Sequence, residues 1–132
     1  AGVEIDLIVR GICCLIPGQT YSRNIRVTRI VDTFLEHARI WYFGNGRNPK
    51  LFLGSPDWMR RNLYRRIEAV TPILDPDAKQ ELIDMLSIQL SDKRKACFVD
   101  ENLRNCWKSA HPQKEKVRSQ YTFYEYLKEK TE

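Results

Sequence analysis

The alternation of apolar and polar positions predicts strands along the first half of the chain. Residues 3–9 are rich in β-branched side chains and lead into an apolar stretch at residues 12–15, which together predict one strand with at least one buried face. Residues 25–30 alternate and predict a second strand. Residues 40–43 and 50–53 predict a hairpin around a turn rich in glycine and asparagine. Residues 66–70 predict a further strand, ended by Thr71 and Pro72, and residues 96–99 a short one.

Helical signals are strongest in the second half. Asp75, Pro76 and Asp77 predict a helix start, because they supply a capping carboxylate, a proline at the first position and a negative charge in the first turn. The apolar stripe of this helix would be Ala78, Leu82, Leu86 and Leu90. Residues 114–130 predict a terminal helix, with Val117, Tyr121, Tyr124 and Leu127 on one face. Shorter helices are predicted over residues 58–63 and, capped by Asp32, over residues 33–37.

Strands and helices are therefore mixed throughout, and the sequence shows no repeat. This pattern predicts a single α/β layered domain over residues 1–132, with a mixed sheet and packed helices. We expect Arg10, His37 and Ser55 to converge at one edge of that sheet. No apolar run approaches the ~18 residues of a membrane-spanning helix, and no signal peptide is visible. The chain begins without methionine and almost at once enters a strand, so we expect it to be part of a longer chain.

The charge balance points to an anionic partner. The 132 residues include 22 lysines and arginines against 17 acids, a net charge of +5. A positive balance suggests nucleic acid, phosphate esters, inorganic phosphate chains or acidic lipid. The apolar share of 42% is typical of a globular domain and excludes collagen-like, disordered and disulfide-scaffold classes.

The cysteines argue against a zinc site or a secreted protein. Cys97 and Cys106 have no paired-cysteine spacing, and neither histidine lies near a cysteine. Cys13 and Cys14 are adjacent in the first predicted strand, where neighbouring side chains point to opposite faces. We therefore expect buried free thiols in a reduced cytoplasmic setting.

Arg10 stands near the end of the first, strongly apolar strand. A guanidinium there is costly unless an anion faces it. In α/β sheets, ligands gather at the carboxyl ends of strands, which favours a bound phosphate. A structural ion pair with a carboxylate such as Asp32 or Glu68 explains the position equally well, and the two interpretations stay open.

His37 is a candidate for phosphoryl chemistry because of its neighbours in sequence. Arg39 follows two positions later, and residues 54–57 form a small-residue turn that bears Ser55 and Asp57. These groups could surround one phosphoryl group, with the histidine as nucleophile, general acid or hydrogen-bond donor. The alternative is an ordinary packed or surface histidine, which is also our expectation for His111.

A basic run follows the same turn. It places four cations in seven positions without an acid, namely Arg60, Arg61, Arg65 and Arg66. The run is either a solvated basic face or a phosphate grip, since arginine binds phosphate through two parallel hydrogen bonds.

Several stretches closely resemble the carboxyl-terminal, second phospholipase-D-like domain of the bacterial type 1 polyphosphate kinase family. They are residues 5–11, 17–18, 24–25, 34–40, 53–59, 61–63, 66–68 and 72–73, and the closing stretch from residue 92 to residue 124. The likeness follows the chain in order over nearly its whole length. It implies an α/β domain with the phospholipase D fold.

The resemblance also implies an activity. That family reversibly transfers the terminal phosphate of ATP to inorganic polyphosphate, releases ADP and requires Mg²⁺, which we expect to be bound mainly outside these residues. His37 would be the catalytic histidine of this domain, acting as acid or base. The histidine that becomes phosphorylated belongs to the preceding domain, so we expect this chain alone to be inactive.

The residues that the resemblance assigns to ATP and phosphate binding are Arg10, His37, Arg39, Ser55, Asp57, Arg60 and Arg61. No metal ligand is assigned to this chain. The expected partners are ATP, polyphosphate and the preceding catalytic domain, in a homo-oligomeric parent without specific nucleic acid. The expected location is cytoplasmic or peripheral to the inner membrane.

Departures from the phospholipase D superfamily pattern bear on the alternatives. Arg39 takes the lysine place, Asp57 takes the asparagine place, and Gly44 falls where an aspartate would be expected. These departures argue against phosphodiester cleavage by this chain. They also argue against a phosphodiesterase that would need dimerisation to pair two histidines. The rival class is a basic nucleic-acid-binding module, supported by the net charge and by Trp58 and Tyr64 beside the arginines.

Overall fold

The computed structural model describes residues 2–132, and the backbone contacts divide the chain into two units. The first unit contains the residues up to Phe34 together with Met85–Glu132, and the second contains Leu35–Asp84. The strands are β1 (Ile5–Ile8), β2 (Ile25–Ile30), β3 (Ile40–Phe43), β4 (Lys50–Gly54), β5 (Val70–Pro72), β6 (Ala96–Val99) and β7 (Asn105–Trp107). The helices are α1 (Arg60–Arg65), α2 (Pro76–Ser91) and α3 (Ser119–Thr131), with a 3₁₀ turn at Pro112–Lys114.

The first unit is built on a four-stranded mixed sheet in the order β1-β2-β6-β7. β1 runs parallel to β2, while β6 is antiparallel to both of its neighbours. The two central strands supply buried hydrophobic side chains, namely Val27, Ile30, Ala96, Cys97 and Val99, together with the buried Thr28. The core therefore lies at β2 and β6, as expected for the inner strands of a sheet.

The first strand is shorter than predicted. It ends at Ile8, and residues 12–15 form no strand. Ladder pairing stops just beyond the strand, at the bond from the Val9 amide to the Thr28 carbonyl. At Gly11 the carbonyl accepts a hydrogen bond of 3.1 Å from the Arg29 side chain and not from a neighbouring strand.

The cysteines depart from the predicted burial. Cys97 alone is buried among these four free thiols, Cys13 is half-buried, and Cys14 and Cys106 are exposed. Cys13 and Cys14 lie beyond the end of β1, so the pleat predicted to separate them is absent.

The second unit contains an antiparallel sheet in the order β3-β4-β5. The predicted hairpin of β3 and β4 is confirmed, with Tyr42 opposite Leu51. Leu51 is fully buried and anchors the middle strand. The strand predicted over residues 66–70 is displaced to Val70–Pro72, because the backbone of Ala69 bonds to Ser55 instead of joining the ladder. Pro72 is tolerated because β5 is an edge strand.

The long helix begins as predicted. The Asp75 carboxylate accepts a hydrogen bond of 2.8 Å from the Ala78 amide, which satisfies one of the free donors of the first turn. Its apolar stripe is half-buried at Leu82 and Leu86 and exposed at its two ends. α1 begins two residues later than predicted, and α3 begins at Ser119, after the 3₁₀ turn.

The prediction of a helix over residues 33–37 is wrong. Those residues are irregular, and the carboxylate of Asp32 binds Arg118 instead of capping a helix. Two exposed tyrosines, Tyr121 and Tyr124, interrupt the predicted apolar face of α3. The predicted α/β class with a mixed sheet is confirmed, but the strands are divided between two sheets. No helix within residues 2–132 is long and apolar enough to cross a membrane.

Candidate functional site

Arg10 lies at the carboxyl edge of the parallel pair of strands in the first unit. It follows the end of β1 by two residues and is exposed, so its charge is not buried in the strand as the sequence had suggested. Asp32 follows β2 by two residues, and parallel strands bring their carboxyl ends to the same edge. His37 and Ser55 belong to the second unit, and their convergence with Arg10 stays a prediction.

Asp32 is engaged by two cations of the first unit. Its side chain is 1% exposed and accepts from Arg118 Nε at 2.8 Å and Nη2 at 2.6 Å, with Lys95 Nζ 3.8 Å away. The hydrogen bonds from Arg118 hold the pKa of the Asp32 carboxyl below its ordinary value, although burial acts in the opposite direction. A structural ion pair thus exists at this edge, made by Arg118 and Lys95.

His37 lies in an irregular segment of the second unit, with an exposed side chain. Its carbonyl accepts a hydrogen bond of 2.8 Å from Arg39 Nη1. Its imidazole makes no hydrogen bond or ion pair with any residue that the structure describes. Both ring nitrogens are therefore open to a substrate, while the backbone beside them is held.

Arg39 connects His37 to the turn that carries Ser55 and Asp57. Its Nε donates to Asp57 Oδ1 at 2.9 Å, and its carbonyl accepts from the Gly54 amide at 3.1 Å. The guanidinium has five N–H groups, of which one binds Asp57 and one the His37 carbonyl, so others can bind a phosphate oxygen. The structure thus brings His37, Arg39 and Asp57 together, as their spacing suggested.

Ser55 is held by the backbone and by a carboxylate. The Ala69 amide donates to Ser55 Oγ at 3.1 Å, and the hydroxyl donates to Glu68. Asn62 Nδ2 donates to the other oxygen of Glu68 at 2.7 Å. Both bonds lower the pKa of the Glu68 carboxyl, and the bond from Ser55 has the larger effect. The single hydroxyl proton of Ser55 is thus committed to Glu68, and its role as a phosphate ligand stays a prediction.

Glu68 and Asn62 were not predicted as parts of this arrangement. Asn62 is 3% exposed, inside α1, and its Oδ1 has no hydrogen-bond partner. Asparagine is a poor helix former because its side chain competes for backbone bonds. An asparagine within an arginine-rich helical run was therefore the signal that could have indicated a buried polar contact.

Gly54 allows the turn to sit against its own sheet. A Cβ at this position would lie 2.6 Å from the Trp41 ring and 2.9 Å from the Val70 side chain. Only glycine, which has no Cβ, allows the backbone to approach these side chains so closely. Ser55 follows directly after this position.

The arginines of α1 present an open basic surface in the second unit. The guanidinium groups of Arg60, Arg61 and Arg65 make no ion pair within residues 2–132. Arg60 and Arg65 line an open hollow together with Leu63 and Tyr64. The surface can accept an anion without first giving up an internal partner.

The residues present do not fit a protein-held Mg²⁺ site. No group of three histidine, cysteine, aspartate or glutamate side chains with metal-binding geometry occurs in the described part of the chain. The two carboxylates around the Ser55 turn are already engaged, Asp57 by Arg39 and Glu68 by Ser55 and Asn62.

The fold and the site define a mixed α/β domain with an open histidine beside arginines. The family described as "Polyphosphate kinase C-terminal domain 2" matches residues 1–120. The chain therefore belongs to the polyphosphate kinase family, and the resemblance read from the sequence is confirmed.

Individual relatives agree with this assignment. The chain is 58% identical over 97 residues to the polyphosphate kinase of Synechocystis sp., which covers 73% of this chain and 13% of that protein. It is 45% identical over 129 residues to the polyphosphate kinase of Escherichia coli K12, which covers 97% of this chain and 19% of that protein. The crystal structure of the Porphyromonas gingivalis polyphosphate kinase superposes with a TM-score of 0.92 at 56% identity, covering 98% of this chain and 20% of that one. The chain thus spans about a fifth or less of these relatives, and its fold is the phospholipase D-like one that the resemblance implied.

Proposed function

We propose that this chain acts as the C-terminal catalytic domain of a polyphosphate kinase. In this role it helps to transfer the terminal phosphoryl group of ATP reversibly to inorganic polyphosphate. The observation that carries the proposal is His37, whose side chain is exposed and whose carbonyl is held by Arg39, the partner of Asp57, in a chain that belongs to this family. His37 assists as acid, base or hydrogen-bond donor toward the transferring group.

The proposed chemistry balances in two transfers. In the first, the bond from the γ-phosphorus to the β–γ bridging oxygen breaks, ADP leaves, and a histidine of the preceding domain takes the phosphoryl group. In the second, a terminal oxygen of polyphosphate attacks that phosphorus and the histidine is released. Catalysis of such steps is chiefly positioning and electrostatic stabilisation. Arg10, Arg39 and the α1 arginines supply positive charge, with the Ser55 turn shaping the site.

Further parts of the proposal concern partners and setting. ATP, polyphosphate and the preceding domain are the partners, and the parent enzyme is a homo-oligomer in the cytoplasm or at the inner face of the membrane. Mg²⁺ enters with the phosphates of the substrates, which commonly hold it. No step is assigned to a metal held by this chain, because its described residues do not fit such a site.

The decisive experiment uses an assembled enzyme, meaning a polyphosphate kinase in which these 132 residues form the C-terminal domain. We expect turnover by the assembled enzyme, none by the chain alone, and a loss of several orders of magnitude in His37→Ala. The matched control is His111→Ala, which alters the chain's other histidine, exposed beside the 3₁₀ turn. Near-normal polyphosphate synthesis by a folded His37→Ala enzyme would refute the assignment.

Arg10 is tested in the same enzyme. Arg10→Ala should reduce transfer by orders of magnitude, and Arg10→Lys should rescue poorly, because a point charge does not reproduce the planar fork of a guanidinium. Arg47→Ala, at an exposed position in the β3–β4 turn, serves as the control. Equal activities of the Arg10 and Arg47 variants would show that Arg10 contacts no substrate phosphate.

A second candidate function is binding of nucleic acid at α1. The favouring observation is that Trp58 and Tyr64 are 77% and 79% exposed beside arginines without ion pairs, as on surfaces that stack bases. Competition between single-stranded oligonucleotide and polyphosphate of equal charge separates the two functions. We expect the chain to bind polyphosphate in preference to the oligonucleotide. This binding should weaken with salt, since exposed charges are screened within ~10 Å at 0.1 M ionic strength. Preference for the oligonucleotide would favour the second candidate.

A further inference from the structure

The backbone of Phe34 is fastened to the first turn of α3. The Phe34 amide donates to Gln120 Oε1 at 2.9 Å, and Gln120 Nε2 donates to the Phe34 carbonyl at 2.8 Å. One side-chain amide therefore satisfies both backbone groups of a residue 86 positions away in sequence. Backbone polar groups outside helices and strands need such partners, and here one glutamine provides both.

Arg118 holds the two preceding residues to the same turn. Its guanidinium binds both oxygens of Asp32 and donates to Thr33 Oγ1 at 2.8 Å. The Tyr121 ring lies 6.2 Å from the Phe34 ring, centroid to centroid, and 4.2 Å from the Arg118 guanidinium carbon. We call residues 32–34, together with Arg118, Gln120 and Tyr121, the 32–34 clamp. All of its members lie in the first unit.

The clamp stands immediately before His37 along the chain. Only two residues separate Phe34 from His37, so their Cα atoms lie within about 11 Å of each other whatever the local conformation. After His37, the Arg39 guanidinium holds its carbonyl. The segment between has no helix or strand, and the imidazole has no hydrogen bond with any described residue, so the fixed backbone on either side contributes to its position.

We propose that Gln120 is a positioning residue for His37, acting through the backbone of Phe34. The inference rests on the proposed function, since it gives the glutamine a part in phosphoryl transfer without contact to the substrate. Transfer is sensitive to placement, and a displacement of about 1 Å can cost about 100-fold in rate. Gln120 therefore contributes to the transfer step, with little part in binding ATP or polyphosphate.

The test is Gln120→Met in the assembled enzyme, because methionine keeps the length of the side chain and removes both hydrogen bonds. The matched control is Gln113→Met, at an exposed residue of the 3₁₀ turn with no side-chain bond in the described structure. We expect the single-turnover transfer rate of Gln120→Met to fall by about 10- to 100-fold, with KM for ATP and polyphosphate within about two-fold of the parent. Thermal unfolding of the same sample checks that the enzyme is folded at the assay temperature.

A second variant keeps the proposal falsifiable where methionine perturbs packing. Gln120→Glu retains an acceptor for the Phe34 amide but places a carboxylate oxygen against the Phe34 carbonyl, and protonation restores the lost donor. Its rate relative to the parent should rise as the pH falls toward the ordinary range of a glutamate. The rate of Gln120→Met relative to the parent should not change with pH.

The outcomes separate this inference from the proposed function. If the assembled enzyme is inactive, or is active without His37, the proposed function fails. If His37→Ala abolishes transfer while Gln120→Met keeps the parent rate, the proposed function stands and the positioning role is overturned. A rise in KM at unchanged transfer rate would overturn it as well, because the glutamine would then act on substrate binding.

Discussion

Replacing Asp92 should destabilise the first unit more than any other single loss of a polar group that we propose to test. Its side chain is fully buried and accepts three backbone hydrogen bonds. Oδ1 accepts from the amides of Arg94 at 2.8 Å and Lys95 at 2.7 Å, and Oδ2 accepts from the Ser119 amide at 2.8 Å. Ser119 is the buried first residue of α3, so Asp92 fixes the turn from which Arg118 and Gln120 extend.

The magnitude follows from these three bonds. In Asp92→Ala, the amides of Arg94 and Lys95 lose about 1 kcal/mol each, and the buried Ser119 amide costs about 1–3 kcal/mol when left unsatisfied. The expected loss is about 3–5 kcal/mol, against a typical stability of about 5–15 kcal/mol. Asp92→Asn keeps one oxygen for two of the amides but turns an NH₂ group toward Ser119. Its expected loss is about 1–3 kcal/mol.

Urea unfolding of the purified chain measures both variants. The midpoint should fall at an unchanged slope, which marks a loss of stability without a change in the surface exposed on unfolding. Asp77→Asn, at an exposed position in the first turn of α2, controls for the loss of one negative charge. A loss below about 1 kcal/mol for Asp92→Ala, or equal losses for Asp92→Ala and Asp92→Asn, would refute the assignment of separate partners to the two oxygens.

Two further predictions concern the second unit and the clamp. Gly54→Ala should cost about 1–3 kcal/mol by overpacking against Trp41, while Gly44→Ala, with open space around it, should be nearly neutral; equal urea midpoints for the two variants would contradict the close approach. The pKa of Asp32 is lowered by folding, so its contribution to stability is complete above its ordinary value of 3.8 and disappears as pH falls through the lowered pKa. The free energy of unfolding, measured from pH 7 to pH 2, should therefore fall less steeply in acid for Asp32→Asn than for the parent chain. An identical acid slope would mean that the Arg118 pair does not stabilise the fold.

Local features of the sequence were sufficient for several elements. Asp75 caps α2 because the capping carboxylate and the amide it binds lie three residues apart. The hairpin of β3 and β4 follows from two short apolar runs joined by a turn rich in glycine and asparagine. His37 and Arg39 are two residues apart, and the small-residue turn at residues 54–57 could be grouped with them before the structure because it bears polar side chains suited to a phosphate. The likeness to the polyphosphate kinase family extended this grouping to a function.

Contacts between distant parts of the chain decided the rest. Asp32 resembles a helix cap locally, yet Arg118, 86 residues later, binds both of its oxygens, and this exchange removes the predicted helix. β7 has no buried residue and no signal of its own, and it forms only because β6 offers a free edge.

The same reason applies to Ser55. Spacing brought it into the candidate site, but only the fold showed that its hydroxyl proton is directed to Glu68. A carboxylate or hydroxyl binds the donor or acceptor that folding brings nearest, and a sequence records only neighbours along the chain. Turns, caps and hairpins are therefore determined locally, whereas the partners of Asp32, Ser55 and Phe34 are determined by tertiary structure.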